Sequence, residues 1–408
     1  MTHHFSFKHR LTGILLLSLV FGCSEQVAPA NTTPMTPDTP TIRIATFNVS
    51  MEANNYRAQD IVPSATTLLT LLNDPEQPQI RNIAEIIQRV APDILLLNEF
   101  DFSTGADPSA AQRFINHFLA VSQQGQTPQH YDYVYTAPVN TGEPSPFDLD
   151  RDGEATGTGG DAYGYGIYPG QYGMVLLSKY PIDFESVRTF QMFLWQDMPN
   201  AQQPVYPGTT DSWYDEAAWQ GMRLSSKSHW DIPVNVEGKW LHVLAMHPTP
   251  PNFDGPEDRN GKRNHDEIRL MADYLSSDTS GYIYDDQGNR GGLSLDSRFV
   301  LVGDFNAADA GDKYRPGVIE QLLQHPAVNG DVVPESDGGK AHCNDAYCAR
   351  YTAEWGARAD YVLPSRYNIS VKQSGVFWPV QSDPLYRLVE NREASSDHRL
   401  VWVDVILN

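Results

Sequence analysis

Seven short apolar runs punctuate the chain: Ile42 to Val49, Ile94 to Leu97, Met174 to Leu177, Leu241 to Met246, Phe299 to Val302, Tyr361 to Leu363 and Val401 to Leu407. Runs of this length suit strands whose two faces are both apolar, and such strands must be covered on both sides. Between them lie helix patterns. Ile83, Ile86, Ile87 and Val90 follow the i, i+3, i+4, i+7 spacing, as do Ile268, Met271, Ala272 and Leu275. This alternation predicts an α/β fold in which sheets are packed between helices. From residue 41 onward no second linker or repeat is visible, so residues 41–408 read as one large domain. Its connections are long, notably about residues 101–171, 183–240, 276–297 and 328–357, and long connections usually carry binding function or decoration.

The runs share a second property: nearly all terminate in polar residues. The first ends in Asn48 and the second leads into Glu99. His247 follows the fourth, Asp304 and Asn306 follow the fifth, Asp360 opens the sixth, and Asp397 and His398 precede the seventh. Each alone has a plain structural reading as an Asx turn, a satisfied histidine or a solvated carboxylate. As a set, six strand ends presenting carboxylates, amides and two imidazoles match what metal-assisted phosphoester hydrolysis requires. A hard divalent cation takes oxygen ligands, a role that suits Glu99 and Asp397 with Asn48 beside them. In-line attack on phosphorus needs a base for the water and donors for the charged oxygens. Asp304 or His398 suits the first task, and Asn306 and His247 suit the second. Asp360 would accept from the His398 ring and fix its tautomer.

The motifs Thr46-Phe47-Asn48-Val49, Pro92 to Glu99, Gly173 to Ile182, Gly303-Asp304-Phe305-Asn306, Ala359 to Ser365 and Ser396-Asp397-His398 together resemble the endonuclease/exonuclease/phosphatase superfamily, of DNase I-like fold. The resemblance runs in the family's order from Thr46 to His398. It implies a four-layer α/β sandwich of two mixed β-sheets flanked by helices, with the site at one edge of the sheets. It also implies Mg²⁺ or Mn²⁺, held by Glu99 and Asp397 with Asn48 as a metal or phosphate contact. Asp304 and Asn306 would position the nucleophile, Asp360 and His398 would form the acid–base dyad, and His247 would be a second catalytic histidine. Where family branches place a catalytic or phosphate-contacting residue ahead of the Gly173 strand, this chain has Gln171-Tyr172, and Tyr172 is the candidate.

The N-terminus has Lys8 and Arg10, an apolar run from Leu11 to Phe21, then Gly22-Cys23. A basic segment, a short apolar segment and a small residue form a secretory signal, too short to remain as a membrane span. Val20-Phe21-Gly22-Cys23 resembles a lipobox, departing from it at the bulky Phe21. Residues 1–22 therefore read as a lipoprotein-type signal peptide, Cys23 as the lipidation site, and residues 23–40, rich in Pro, Thr, Ala and Asn, as a flexible tether. The expectation is an exported protein anchored at the outer membrane or cell surface, otherwise periplasmic or secreted. That leaves Cys343 and Cys348 as a pair in an oxidising compartment, which predicts a short-loop disulfide. Asp148, Asp150 and Asp152 have the alternate spacing of a calcium loop, but Gly159 stands where an EF-hand has its bidentate Glu. The reading there is a structural Ca²⁺ loop or a solvated acidic turn. Ser225 to Trp230 precede Ile232 to Val236 and place Lys227 and His229 on one strand face by period two. Because the following strand ends at His247, either could reach a substrate phosphate, the alternative being a polar sheet face.

Charge narrows the partner. With 29 basic against 51 acidic residues and a net charge of −22, no broad basic face exists to grip nucleic acid. The expected reaction is hydrolysis of a phosphodiester or phosphomonoester, on a small-molecule or lipid-like substrate in preference to a long polyanion. An extracellular DNA or RNA endonuclease is the alternative. A non-catalytic binding protein on this fold would have lost part of the constellation, whereas every core position is filled.

Overall fold

The computed structural model describes residues 40–408 apart from 60, 104 and 106–108. The signal segment, Cys23 and the tether as far as residue 39 lie outside the described residues. Among the described residues eleven strands form two mixed sheets. They are β1 (Ile42–Met51), β2 (Ile94–Phe100), β3 (Tyr133–Tyr135), β4 (Met174–Ser178), β5 (Arg188–Thr189), β6 (His229–Val236), β7 (Lys239–Met246), β8 (Phe299–Asp304), β9 (Asp360–Pro364), β10 (Ile369–Val376) and β11 (Val401–Leu407). The six-stranded sheet runs β10-β11-β1-β2-β4-β3 and the five-stranded sheet β5-β6-β7-β8-β9. Each has one parallel pair near its middle, β1 with β2 and β7 with β8, and is otherwise antiparallel. All seven expected strands are present, most of them a few residues longer than their apolar runs.

Side-chain alternation along the central strands builds the layers. On β7 and β8, Leu241, Val243, Ala245, Val300 and Val302 pack into one core with Ile44, Phe47 and Leu96 of the other sheet. The intervening Leu244, Met246 and Leu301 pack the opposite way, against Ile268 and Met271. The central runs are apolar throughout because each face meets a different layer. The outer layers rest on two helices. Pro78–Val90 has Pro at its first position and ends at Ala91 in the left-handed conformation, and its Ile83, Ile86 and Ile87 are fully buried. Arg259–Tyr274 buries Ile268, Met271 and Ala272 against the five-stranded sheet. No other α-helix among the described residues exceeds six residues. The expected strand–helix alternation is therefore sparser than the pattern suggested, and long irregular segments cover the rest of both outer faces. Cys343 and Cys348 are joined as a disulfide, with Cα atoms 5.8 Å apart.

Candidate active site

The two sheets are tied together at the point where their central strands end. Asn48 on β1 and Asn98 on β2 are register partners. Across the sandwich, Asn48 Nδ2 donates to Asp304 Oδ2 at 3.1 Å, and the Asp304 backbone N–H donates to Asn98 Oδ1 at 3.3 Å. Gly303 makes the close approach of β8 to β7 feasible. Its φ is +147°, and a Cβ there would lie 1.9 Å from the Met246 carbonyl oxygen. Asn306 and Glu99 leave their strands with positive φ (51° and 54°). Such conformations cost about 1 kcal/mol or more for a non-glycine residue and concentrate at functional sites.

Asp304 is the hub. Besides Asn48, its Oδ2 faces His247 Nε2 at 3.4 Å and His398 Nε2 at 3.6 Å, while Oδ1 accepts the Asn306 backbone N–H at 3.0 Å. His398 Nδ1 donates to Asp360 Oδ2 at 2.9 Å, and the same oxygen accepts Thr352 Oγ1 at 2.7 Å. Asp304 and Asp360 are register partners on β8 and β9, which is why one imidazole lies between two carboxylates. Burial alone would lower the His398 pKa, but Asp360 and Asp304 outweigh it and push it up. Burial likewise works against the Asp304 carboxylate, yet His398, His247 and Asn48 hold its pKa well below the usual range. His247 goes the other way, lowered by burial and by the Lys227 charge, so it is neutral. Its Nδ1 is buried without a partner.

The Ser396-Asp397-His398 turn is braced from beneath. Ser396 Oγ donates to the Asn48 carbonyl at 2.7 Å and accepts the His398 N–H at 3.1 Å. The buried Arg399 guanidinium donates to the carbonyls of Ser396 (2.7 Å), His398 (3.1 Å) and Val389 (3.0 Å). Backbone oxygens that would otherwise be orphaned thereby fix the direction of the His398 ring.

Beside this hub lies an acidic rim. Glu99 and Asp397 converge on the Arg392 guanidinium at 3.8 and 3.4 Å, and Glu52 reaches it at 4.0 Å. Asp397 Oδ1 also accepts from Ser50 Oγ at 3.2 Å. Burial raises the Glu99 pKa, with the Asp397 charge adding to it and His247 and Arg392 opposing. These carboxylate oxygens, gathered round one cationic group, are the donor type that a hard divalent cation takes. Asp304, Asp360 and His398 also have ligand-type atoms within 4.8 Å of one another. Those atoms are engaged with one another in the hub, whereas the Glu99 and Asp397 oxygens face the Arg392 cation and Ser50. Asn48 Oδ1 meanwhile accepts the Ser50 N–H at 3.2 Å.

Of the other expected residues, Tyr172 lies on the rim. Its hydroxyl accepts from Asn54 Nδ2 at 2.9 Å, and burial, reinforced by Glu52, pushes its pKa up. Gln171 points inward, donating to Glu52 Oε2 at 3.1 Å, so Tyr172 is the one near Glu99. Asp148, Asp150 and Asp152 bring ligand atoms within 4.8 Å of each other in an irregular segment without flanking helices. His229 does not reach the site. It is buried in the second sheet between Ser225 Oγ (2.6 Å) and the Glu267 carbonyl (3.1 Å). Sequence reasoning missed Arg392, Glu52, Asn98, Thr352 and Arg399. Only Asn98, directly before Glu99, carried a positional signal, since a polar residue there interrupts the apolar run.

Two mixed sheets closing on one edge lined with carboxylates, amides and imidazoles define a sandwich of the DNase I-like class. The chain belongs to the Endonuclease/Exonuclease/phosphatase family, whose sequence model matches residues 45–398. That family includes phosphodiesterases, nucleases, sphingomyelinases and phosphatases, and its enzymes typically depend on a divalent metal. Among solved structures, the chain is similar to an endonuclease/exonuclease/phosphatase from Beutenbergia cavernae (17% identity, 90% of this chain and 72% of that one, TM-score 0.46). It is also similar to the human Nocturnin catalytic domain with bound sulfate (16%, 91% and 96%, TM-score 0.44). A third is beta toxin from Staphylococcus aureus with bound magnesium ions (12%, 89% and 99%, TM-score 0.42). No curated protein matches the chain. No helix among the described residues is long and apolar enough to cross a membrane.

Proposed function

We propose that the protein is a metal-dependent phosphoester hydrolase acting outside the cytoplasm. The observation that carries this reading is the convergence of Asn48, His247, Asn306 and His398 on Asp304, with the Glu99–Asp397 pair alongside. Glu99 and Asp397, with Asn48 next to them, would hold Mg²⁺ or Mn²⁺. Such an ion supplies Lewis-acid stabilisation of the phosphoryl charge.

The protein's own residues divide the remaining work. Asp304 and His398 are pushed to opposite protonation states by their surroundings, the pattern that separates a base from an acid. Asp304 accepts the proton of the attacking water. His398 stands only 3.6 Å away, too close to serve the far side of phosphorus in an in-line displacement. It donates instead to an equatorial oxygen, as do His247 and the Asn306 side chain. Asp360 holds the His398 ring in place and in charge. Tyr172, with its raised pKa, acts on the rim as a hydrogen-bond donor and not as an acid.

The excess of acidic residues favours a small or lipid-like phosphoester, and the basic–apolar–Cys23 leader supports export and lipid anchoring. A panel of a synthetic phosphodiester, a phosphomonoester, plasmid DNA and a phospholipid, each with and without EDTA, tests the proposal. EDTA-resistant hydrolysis would overturn the metal mechanism. Plasmid cleavage at the lowest enzyme concentrations would replace the reading with that of an endonuclease.

A further inference from the structure

The turn Ser225-Ser226-Lys227-Ser228 leads into β6 beside the strand end that carries His247. One buried carboxylate clamps the two together. Glu267 accepts the Ser226 N–H at 2.7 Å through Oε1 and the Thr249 N–H at 2.6 Å through Oε2. Arg263, also buried, closes the turn from behind by donating to the carbonyls of Leu224 (2.8 Å), Arg223 (3.0 Å) and Ser225 (3.1 Å). The Lys227 carbonyl accepts the Asn140 N–H at 2.9 Å. The backbone carrying Lys227 is therefore held rigidly from three sides.

Its side chain is treated otherwise. Lys227 is only 6% exposed, yet among the described residues its ammonium makes neither a hydrogen bond nor an ion pair. The charges it feels are Glu267, Glu99 and Asp304, and it in turn acts on His247. Those carboxylates are engaged elsewhere: Glu267 by the two N–H groups, Asp304 by its amide and imidazole partners, Glu99 by Arg392. The stem is buried while Nζ, which has no partner, keeps contact with solvent, so the ammonium is open to an incoming anion. A rigid turn beside the His247 strand end, presenting an unpaired ammonium within the field of Glu99 and Asp304, is a seat for an anion.

We propose that Lys227 is a catalytic residue whose ammonium donates to a non-bridging oxygen of the substrate's phosphoryl group. This rests on the phosphoester hydrolase reading and adds to it an ammonium group from the protein at the reacting phosphorus. It adds a donor to those of His247, Asn306 and His398 and acts before bond-making as well as during it.

The test uses the full chain and three variants, K227M, K227Q and K227R. Removing a preorganised donor to a developing anion typically costs about 10²–10³ in rate. K227M should lose about a hundredfold in kcat/KM on whichever substrate the wild type cleaves, with a melting temperature equal to or above the wild type's. K227R should recover part of the activity. Binding of inorganic phosphate, followed by calorimetry, should weaken about tenfold or more in K227M. Should K227M fail to fold, K227Q provides the same comparison. Kinetics within about threefold of wild type, or lost activity matched by a lowered melting temperature in both neutral variants, would overturn the proposal. A wild type that cleaves no phosphoester refutes the hydrolase reading alone, because the phosphate titration still decides Lys227. Equal phosphate binding by wild type and K227M, or none by either, overturns it.

Discussion

Arg392 occupies the space between the carboxylates assigned to the metal, so replacing it changes how strongly a divalent cation is held. The guanidinium lies 3.4 Å from Asp397, 3.8 Å from Glu99 and 4.0 Å from Glu52. At these separations one charge pair is worth about 1 kcal/mol in a water-like dielectric and about 4 kcal/mol at an effective dielectric of 20. The Arg392 side chain is 42% exposed, which places it near the lower figure. A cation entering between Glu99 and Asp397 must displace two such contacts, about 2 kcal/mol together, or about thirtyfold in affinity. Side-chain freedom regained by the released arginine reduces this to about tenfold. Arg392→Met keeps the apolar stem and removes the charge, so it should bind Mn²⁺ about tenfold more tightly. Electron paramagnetic resonance titration of free Mn²⁺ against the full chain, without substrate, measures this directly. Glu99→Gln serves as the opposite control and should weaken binding. An unchanged Mn²⁺ affinity in Arg392→Met would refute the assignment of this rim to the metal. A weaker affinity would show instead that the arginine assembles the carboxylates for the ion.

Three further outcomes follow from the geometry. Asp360→Asn removes the carboxylate that holds His398, and steady-state kinetics should show kcat reduced by about 10²–10⁴ with KM changed by less than about threefold; a KM-dominated loss would contradict the positioning role. His229, whose pKa burial lowers to about 4, stays neutral in the folded protein while the unfolded chain takes up a proton below about pH 6.5. Its contribution to stability is therefore complete above pH 6.5 and is lost as pH falls towards 4, at about 1.4 kcal/mol per pH unit. Urea unfolding across that window should show His229→Gln with a shallower slope than wild type, and parallel slopes would refute the reading. Gly303→Ala places a methyl against the Met246 carbonyl and should destabilise the fold by about 2 kcal/mol or more, measured by denaturant midpoint. A midpoint unchanged within error would mean that β7 and β8 can separate freely.

The central strands and the site residues at their ends were legible because both obey local rules: an apolar run must be buried, and a polar residue closing it marks where the chain leaves the sheet. The strands that escaped notice are those without such a run. β3 has three residues and β5 two, while β10 is a half-exposed edge strand carrying Ser370, Lys372, Gln373 and Ser374. The period-two argument that placed His229 near phosphate failed because Lys227 precedes the strand, so the two residues need not share a face. Arg392, Thr352 and Arg399 sit in loops; Arg392 reaches Asn55 across 337 residues, Thr352 reaches Asp360 across 8 and Arg399 the Val389 carbonyl across 10, which no local pattern encodes. Glu267 and Arg263 look like solvated positions on an amphipathic helix, yet both are buried because the turn they anchor folds over them.

The pairing of β11 with β1 has a consequence in time. β1 lies between β2 and β11, and Asn48 on it takes its brace from Ser396, just upstream of β11. On a chain made from the N-terminus, β1 waits for residues 396–407 before either its second edge or its brace exists. Hydrolytic competence would consequently be an all-or-none property of the finished polypeptide. Pulse-labelled nascent chains halted before residue 396 should display the strands of the five-stranded sheet and no turnover.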